Sequence, residues 1–435
     1  MKAGFLHLLL FIVAFVSWSC NDQCTETRIT RRLTPISRPL AEIRSSVRTE
    51  AAHTLKKPGK MYVKGNYLFI NEIKEGIHII DNSNPAAPNF ISFINIPGNG
   101  DIAVKGNILY ADSFSDLVAL DISDVNAPKE VGRVNNVFQT GQFDGVWWTM
   151  TAPNAGIQDN AITDYKVEYV TETVSTNCEE NIMYPILNSA TAMSFSDMAF
   201  FRGKSASSSS NSGGTSGKAG SMSRFALHDN FLYTVSQSSL HLFNISKPSS
   251  PSDFSTINLG WNIETIFPYK NKLFIGSSTG MFIYDNSNPS APQQLSVFQH
   301  GNACDPVVVH DDIAYVTLRT GTACAGTQNQ MDLVDVSDAS SPQLIRSYQM
   351  QNPHGLSIDF PILYLCEGEF GLKIFNAEDK MDIESKLLAH FKDMDAYDVI
   401  SLGKTVLVIG KDGFYQYDAS DVKNLRLLSK IPVSK

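Results

Sequence analysis

The 435-residue chain carries 44 Asp and Glu against 35 Lys and Arg, a net charge of -9. That balance excludes a general nucleic-acid binder, which presents a basic face to release phosphate counterions. With 43% hydrophobic and 18% charged residues, 19 Pro and 28 Gly, the chain is globular and rich in turns, neither disordered nor collagenous.

The first element in chain order is a signal peptide over residues 1–20: Lys2, an apolar stretch from Phe5 to Val16, then Ser17-Trp18-Ser19-Cys20. The apolar part falls short of the roughly 20 residues that a membrane-spanning helix needs, and polar Asn21-Asp22-Gln23 follow. Cys20 at this position resembles the lipobox of bacterial lipoproteins, although Ser17 stands where that family usually has Leu. The resemblance implies that Cys20 is lipidated and that the protein is exported and held at the outer membrane or cell surface; plain secretion is the alternative.

Residues 21–59 read as a basic tether. From Thr27 to Lys60, Arg28, Arg31, Arg32, Arg38, Arg44, Arg48, Lys56, Lys57 and Lys60 face only Glu42 and Glu50, a charge suited to a solvated linker or to an anionic surface. Leu40 to Leu55 suits a short helix, with the stretch before Lys60 open to adding a strand to the body.

From Lys60 onward the sequence repeats. Val63-Lys64-Gly65-Asn66-Tyr67-Leu68-Phe69, followed by Gly76-Ile77-His78-Ile79-Ile80-Asp81-Asn82-Ser83-Asn84-Pro85, returns as Val104-Lys105-Gly106-Asn107-Ile108-Leu109-Tyr110 with Leu117-Val118-Ala119-Leu120-Asp121-Ile122-Ser123. Equivalent anchors stand at Asn244, Asp285, Asp335, Asn376 and Asp418. Their spacing gives a period of about 40, broken by one insertion of roughly 80 residues and one of roughly 10. Each unit contains a first strand ending in a turn that tolerates positive φ, a β-branched and aromatic second strand, a third, and an Asp-x-Ser-x-Pro loop before a fourth. Four strands per period predict an all-β protein, a β-propeller of seven four-stranded blades over residues 60–435, with eight if the insertion or the N-terminal segment supplies strands. Third strands such as Gly76 to Asp81, Leu117 to Asp121 and Met331 to Asp335 resemble the LVIVD repeat of secreted and surface proteins, a resemblance that implies a propeller fold and no reaction.

In such a fold the connections between blades share a face with the loops joining second to third strands. Both insertions fall there: residues 139–221, and the extra residues 319–330 of the fifth repeat. Residues 203–221 of the long insertion are Ser/Gly-rich and expected to be flexible, while Tyr165 to Val170 alternates like a strand. Trp147 and Trp148 are candidate partner-binding aromatics, with a role in the rim core as the alternative. Aligning the first strands places Lys60, Asp101, Arg224, Glu264, Asp305, His354 and Asp398 near the channel mouth. The last six are the candidate ligand site, with Glu264, Asp305, His354 and Asp398 as acid/base candidates; a hydrated channel lined by solvated side chains is the competing reading.

Cys304 and Cys324 fall on the same face and are a candidate disulfide, consistent with an oxidising compartment and worth roughly 3 kcal/mol. Cys366, inside a second strand, reads as a buried thiol; Cys24 and Cys178 have no assignment. No HExxH, CxxC or phosphate loop is present, so no metal site, cofactor or catalytic residue is expected, and calcium has no support. The sequence points to a lipid-anchored envelope propeller with a monomeric body that binds a protein or glycan through the insertion-bearing face. The alternative is an exported glycan-active hydrolase using the channel-mouth acids.

Overall fold

The computed structural model describes residues 23–143, 146–150, 159–177, 218–260, 262–301, 306–320 and 328–434. The signal segment and Cys20, Cys178, Asp305 and the Cys304–Cys324 pair lie outside the described residues, as does the side chain of Cys24. No helix among the described residues is long and apolar enough to cross a membrane.

The chain forms two compact units, one of residues 1–35 with 165–194, the other of residues 36–164 with 195–435. In the smaller unit the described residues are extended strand, tied by the Thr30 hydroxyl donating to the Val170 carbonyl at 3.3 Å and by Arg32 opposite Glu172 at 3.9 Å.

The larger unit holds the repeats. Seven sheets carry one repeat each, at residues 58–95, 102–134, 225–258, 263–299, 307–349, 356–391 and 396–432, here called the first to seventh blades. Strands within each blade are antiparallel and in chain order. The first strand of each blade neighbours that of the next, through Pro58–Lys64, Ile102–Lys105, Phe225–His228, Ile263–Tyr269, Val307–His310, Leu356–Asp359 and Ala396–Leu402. The ring closes where Pro58–Lys64 meets Thr405–Gly410 of the seventh blade. Asn82 and Gln416 exchange amide hydrogen bonds at 2.8 and 2.7 Å across the same closure. First strands adjacent from blade to blade, in a circuit closed through the seventh blade's second strand, make the architecture a β-propeller.

An eighth sheet has the order Gln23–Pro39, Asn160–Asn177, Val146–Met150, Thr140–Phe143. Among the described residues the sheet count therefore reaches eight through the insertion and the N-terminal segment, the two sources of strands that the sequence left open, while the seven repeats form the ring.

Local chemistry explains the blades. Every anchor accepts a hydrogen bond from the backbone N–H two residues on: Asp81 from Ser83, Asp121 from Ser123, Asn244 from Ser246, Asp285 from Ser287, Asp335 from Ser337, Asn376 from Glu378 and Asp418 from Ser420, all between 2.8 and 3.1 Å. Asn serves as well as Asp because the turn needs only a side-chain oxygen. Gly65 and Gly106 take positive φ, 56° and 57°, at the first turn of their blades. In the fourth strand every blade carries a bulge, for example between Glu130 and Gly132. Such a bulge twists an outer edge away from pairing with another chain.

The tether reading gives way to structure. Helix Leu40–Ser45 buries Leu40 and Ile43 and stops well short of Leu55. Strand Arg48–Ala51 then adds to the outer edge of the first blade beside Asn89–Asn95. Leu55 bridges to Val433 near the C-terminus. Part of the basic excess is met by acids elsewhere in the chain: Arg44 holds Asp116 through two hydrogen bonds of 2.8 and 3.1 Å, a carboxylate that Arg133 also meets at 2.9 Å. These three contacts, with the Asn136 N–H, hold Asp116 below the usual carboxylate range although burial opposes them.

Candidate functional site at the channel axis

The ring of first-strand residues divides into two groups, separated by a segment of the chain itself. Residues 218–223, the end of the insertion and the two residues after it, run through the axial region. Lys218 and Ala219 pair with Val63 and Tyr62 of the first blade, and the Lys218 ammonium donates to the Ser401 carbonyl of the seventh at 2.6 Å. The Ser221 hydroxyl accepts from the Leu356 N–H of the sixth at 2.6 Å, and the Ser223 carbonyl accepts from the Ile266 N–H of the fourth at 2.9 Å. Ser221, Met222 and Ser223 are all buried. This corrects the expectation of flexibility through residue 221: Lys218 onward is fixed because its polar groups find partners on several blades at once.

The first group is Lys60, Asp101 and Arg224, joined by Asp112. The Lys60 ammonium donates to Asp101 Oδ2, with both side chains almost wholly enclosed. Asp101 also accepts from the Arg224 N–H at 2.5 Å and from the Ser223 hydroxyl at 3.1 Å. Burial pulls the Lys60 ammonium down to about 8 against the attraction of Asp101, which leaves it charged at neutral pH. Asp112 takes the Arg224 guanidinium at 3.1 Å and the N–H groups of Gly100 and Asp101 at 2.7 and 2.8 Å. Its burial nevertheless raises its carboxyl above the usual range. Arg224 and Asp112 also line a cleft of about 360 Å³, open mouth included, with Phe114, Phe138, Trp148 and Gln237.

The second group is His354 and Asp398. Asp398 Oδ1 accepts from the Ser221 N–H and hydroxyl, both at 3.1 Å, while its Oδ2 is buried without a partner. Burial pushes this carboxyl well above its ordinary value, against the opposing hydrogen bonds. Asp398 is therefore held protonated over a range in which the unfolded chain, with an ordinary pKa near 4, is ionised. The folded state binds the extra proton there, so stability falls as pH rises through that range. Asp398→Asn is expected to be at least as stable as wild type near neutral pH, its advantage fading toward about pH 4. Denaturant unfolding across that range tests this, and parallel profiles for the two proteins would refute it.

Of the remaining ring residues, Glu264 is partly buried on strand Ile263–Tyr269 and engaged by other groups. Trp148 is a core residue, 5% exposed and edge-on to Phe114 at 5.5 Å; its proposed partner-binding role is corrected, because strand alternation turns it inward. Trp147, its neighbour on Val146–Met150, is 44% exposed. Cys366 is a buried free thiol, raised well above its usual range by burial. No group of three or more His, Cys, Asp or Glu side chains among the described residues is arranged to hold a metal ion.

Asp112 and Arg319 were missed by sequence reasoning. Both stand at or just beyond the end of a second strand, so aligning those ends as well as the first strands would have brought them to the same mouth.

The LVIVD repeat model matches residues 59–95, 99–136, 219–258 and 300–350. The chain thus carries LVIVD repeats, the matches covering the first, second, third and fifth blades. No protein of curated function matches the chain in sequence. Among solved structures, the computationally designed Ika8 protein is similar at 9% identity and a TM-score of 0.48, over 88% of this chain and 90% of that one. Kluyveromyces lactis Hsv2 aligns at 10% identity and 0.48, over 87% of this chain and 100% of that one. BamB from Moraxella catarrhalis aligns at 7% identity and 0.45, over 88% and 97%.

Proposed function

We propose that this protein is a non-catalytic binding propeller of the bacterial envelope, exported and lipid-anchored through Cys20, that engages a protein or glycan through its insertion-bearing face. The observation that carries the reading is Trp147. A large aromatic side chain 44% exposed on a strand, beside a Trp148 locked in the core, is a preorganised anchor of the kind that dominates binding surfaces.

Hydrolysis by the channel-mouth acids finds less support. Asp101 is committed to Lys60, Ser223 and the Arg224 backbone, and Asp398 to Ser221. A general acid or base must reach its substrate's proton, and both carboxyls are enclosed.

The test is a pull-down from envelope extracts, run in parallel with a glycan array, comparing the full chain with Trp147→Ala. A hot-spot tryptophan contributes about 2 kcal/mol or more, so the variant should bind its specific partner about 30-fold more weakly. Equal recovery by both proteins would remove Trp147 from the interface and the reading with it.

A further inference from the structure

We infer that Arg319 and His354 form a binding site for a small oxyanion in the axial region of the propeller. Arg319 follows strand Ile313–Leu318 of the fifth blade, and His354 precedes Leu356–Asp359 of the sixth. Both therefore lie at the end of their blades that carries the insertions.

Arg319 is 4% exposed and His354 1%. Arg319 Nη1 lies 3.4 Å from His354 Nε2. A guanidinium has only donors to offer, so Nε2 accepts and the imidazole hydrogen sits on Nδ1. That Nδ1 is buried with no partner, and so is Arg319 Nε. The pair thus presents two enclosed N–H donors and a full positive charge with no acceptor among the described residues.

Lys60, the other fully buried cation among the described residues, has the Asp101 carboxylate against it, whereas no carboxylate among the described residues pairs with Arg319. Burial pulls the Arg319 guanidinium down to about 10. Unpaired charge in a protein interior is strongly unfavourable, and donor-only groups call for an anion with oxygen acceptors. A tetrahedral phosphate and a planar carboxylate share that chemistry. The inference is independent of the partner proposed for Trp147.

Equilibrium dialysis of the full chain against labelled inorganic phosphate, and separately acetate, at low salt tests the site. Saturable binding of one anion per chain is expected, and the anion preferred separates the two chemistries. Arg319→Gln should weaken that binding by about tenfold or more, with Arg319→Lys in between. In anion-free buffer Arg319→Gln should melt no lower than wild type, since it removes an uncompensated charge. Added anion should then raise the wild-type melting temperature more than the variant's, because general salt exclusion acts on both alike. Absence of saturable binding, equal binding by Arg319→Gln, or a Gln variant that unfolds for want of the guanidinium would each overturn the assignment.

Discussion

Lys60→Met is expected to cost about 3–5 kcal/mol of folding stability, because it leaves a buried carboxylate without its cation. Asp101 is 1% exposed and would retain only the Ser223 hydroxyl and the N–H groups of Arg224 and Ile102, with the Arg224 guanidinium 4.0 Å away. Adding Asp101→Asn removes the stranded charge, so the double variant should recover most of the loss. Denaturant unfolding of the four proteins closes the cycle. A double variant no more stable than Lys60→Met would show that the lysine acts through its packing and not through its charge.

That pair also shows how far the sequence could be read. Lys60 and Asp101 were both placed at the channel mouth from the turns alone, since the repeat fixes where each first strand starts. What the repeat does not encode is which ring positions become partners, and the reason lies in residues 218–223. They follow a Ser/Gly-rich stretch and look like its continuation, yet Ser221 and Ser223 supply the hydrogen bonds that divide the ring. Small side chains are equally suited to a mobile loop and to a close fit through a narrow axis, and composition cannot separate the two. The basic segment before Lys60 posed the same difficulty. Its charge suggested solvent, whereas Arg44 is spent on Asp116, 72 residues away, a long-range pairing with no local periodicity to betray it. Periodic features, the seven Asx turns above all, were legible because their partners are two residues off.

Gly220→Ala should lower stability by about 1–3 kcal/mol, the usual cost of overpacking, and its effect should be confined to the axis. A methyl group at this position would overlap the Asp398 carboxylate, and one at Gly355 would do the same from the other side. The carboxylate is thus clasped between two glycines, and the insertion can pass only because neither carries a side chain. Relief of the clash requires Asp398 to move, which breaks its bonds to Ser221 and loosens the grip of Ser221 on the Leu356 N–H. Amide hydrogen exchange should therefore speed up at Leu356 and at Ile266, which donates to Ser223, before it does in the outer strands. Asp398→Ala in the same chain opens the space, so the two substitutions should cost less together than the sum of their separate effects. Strict additivity, or exchange that rises uniformly across the blades, would mean that residues 218–223 do not hold the axis in the manner described.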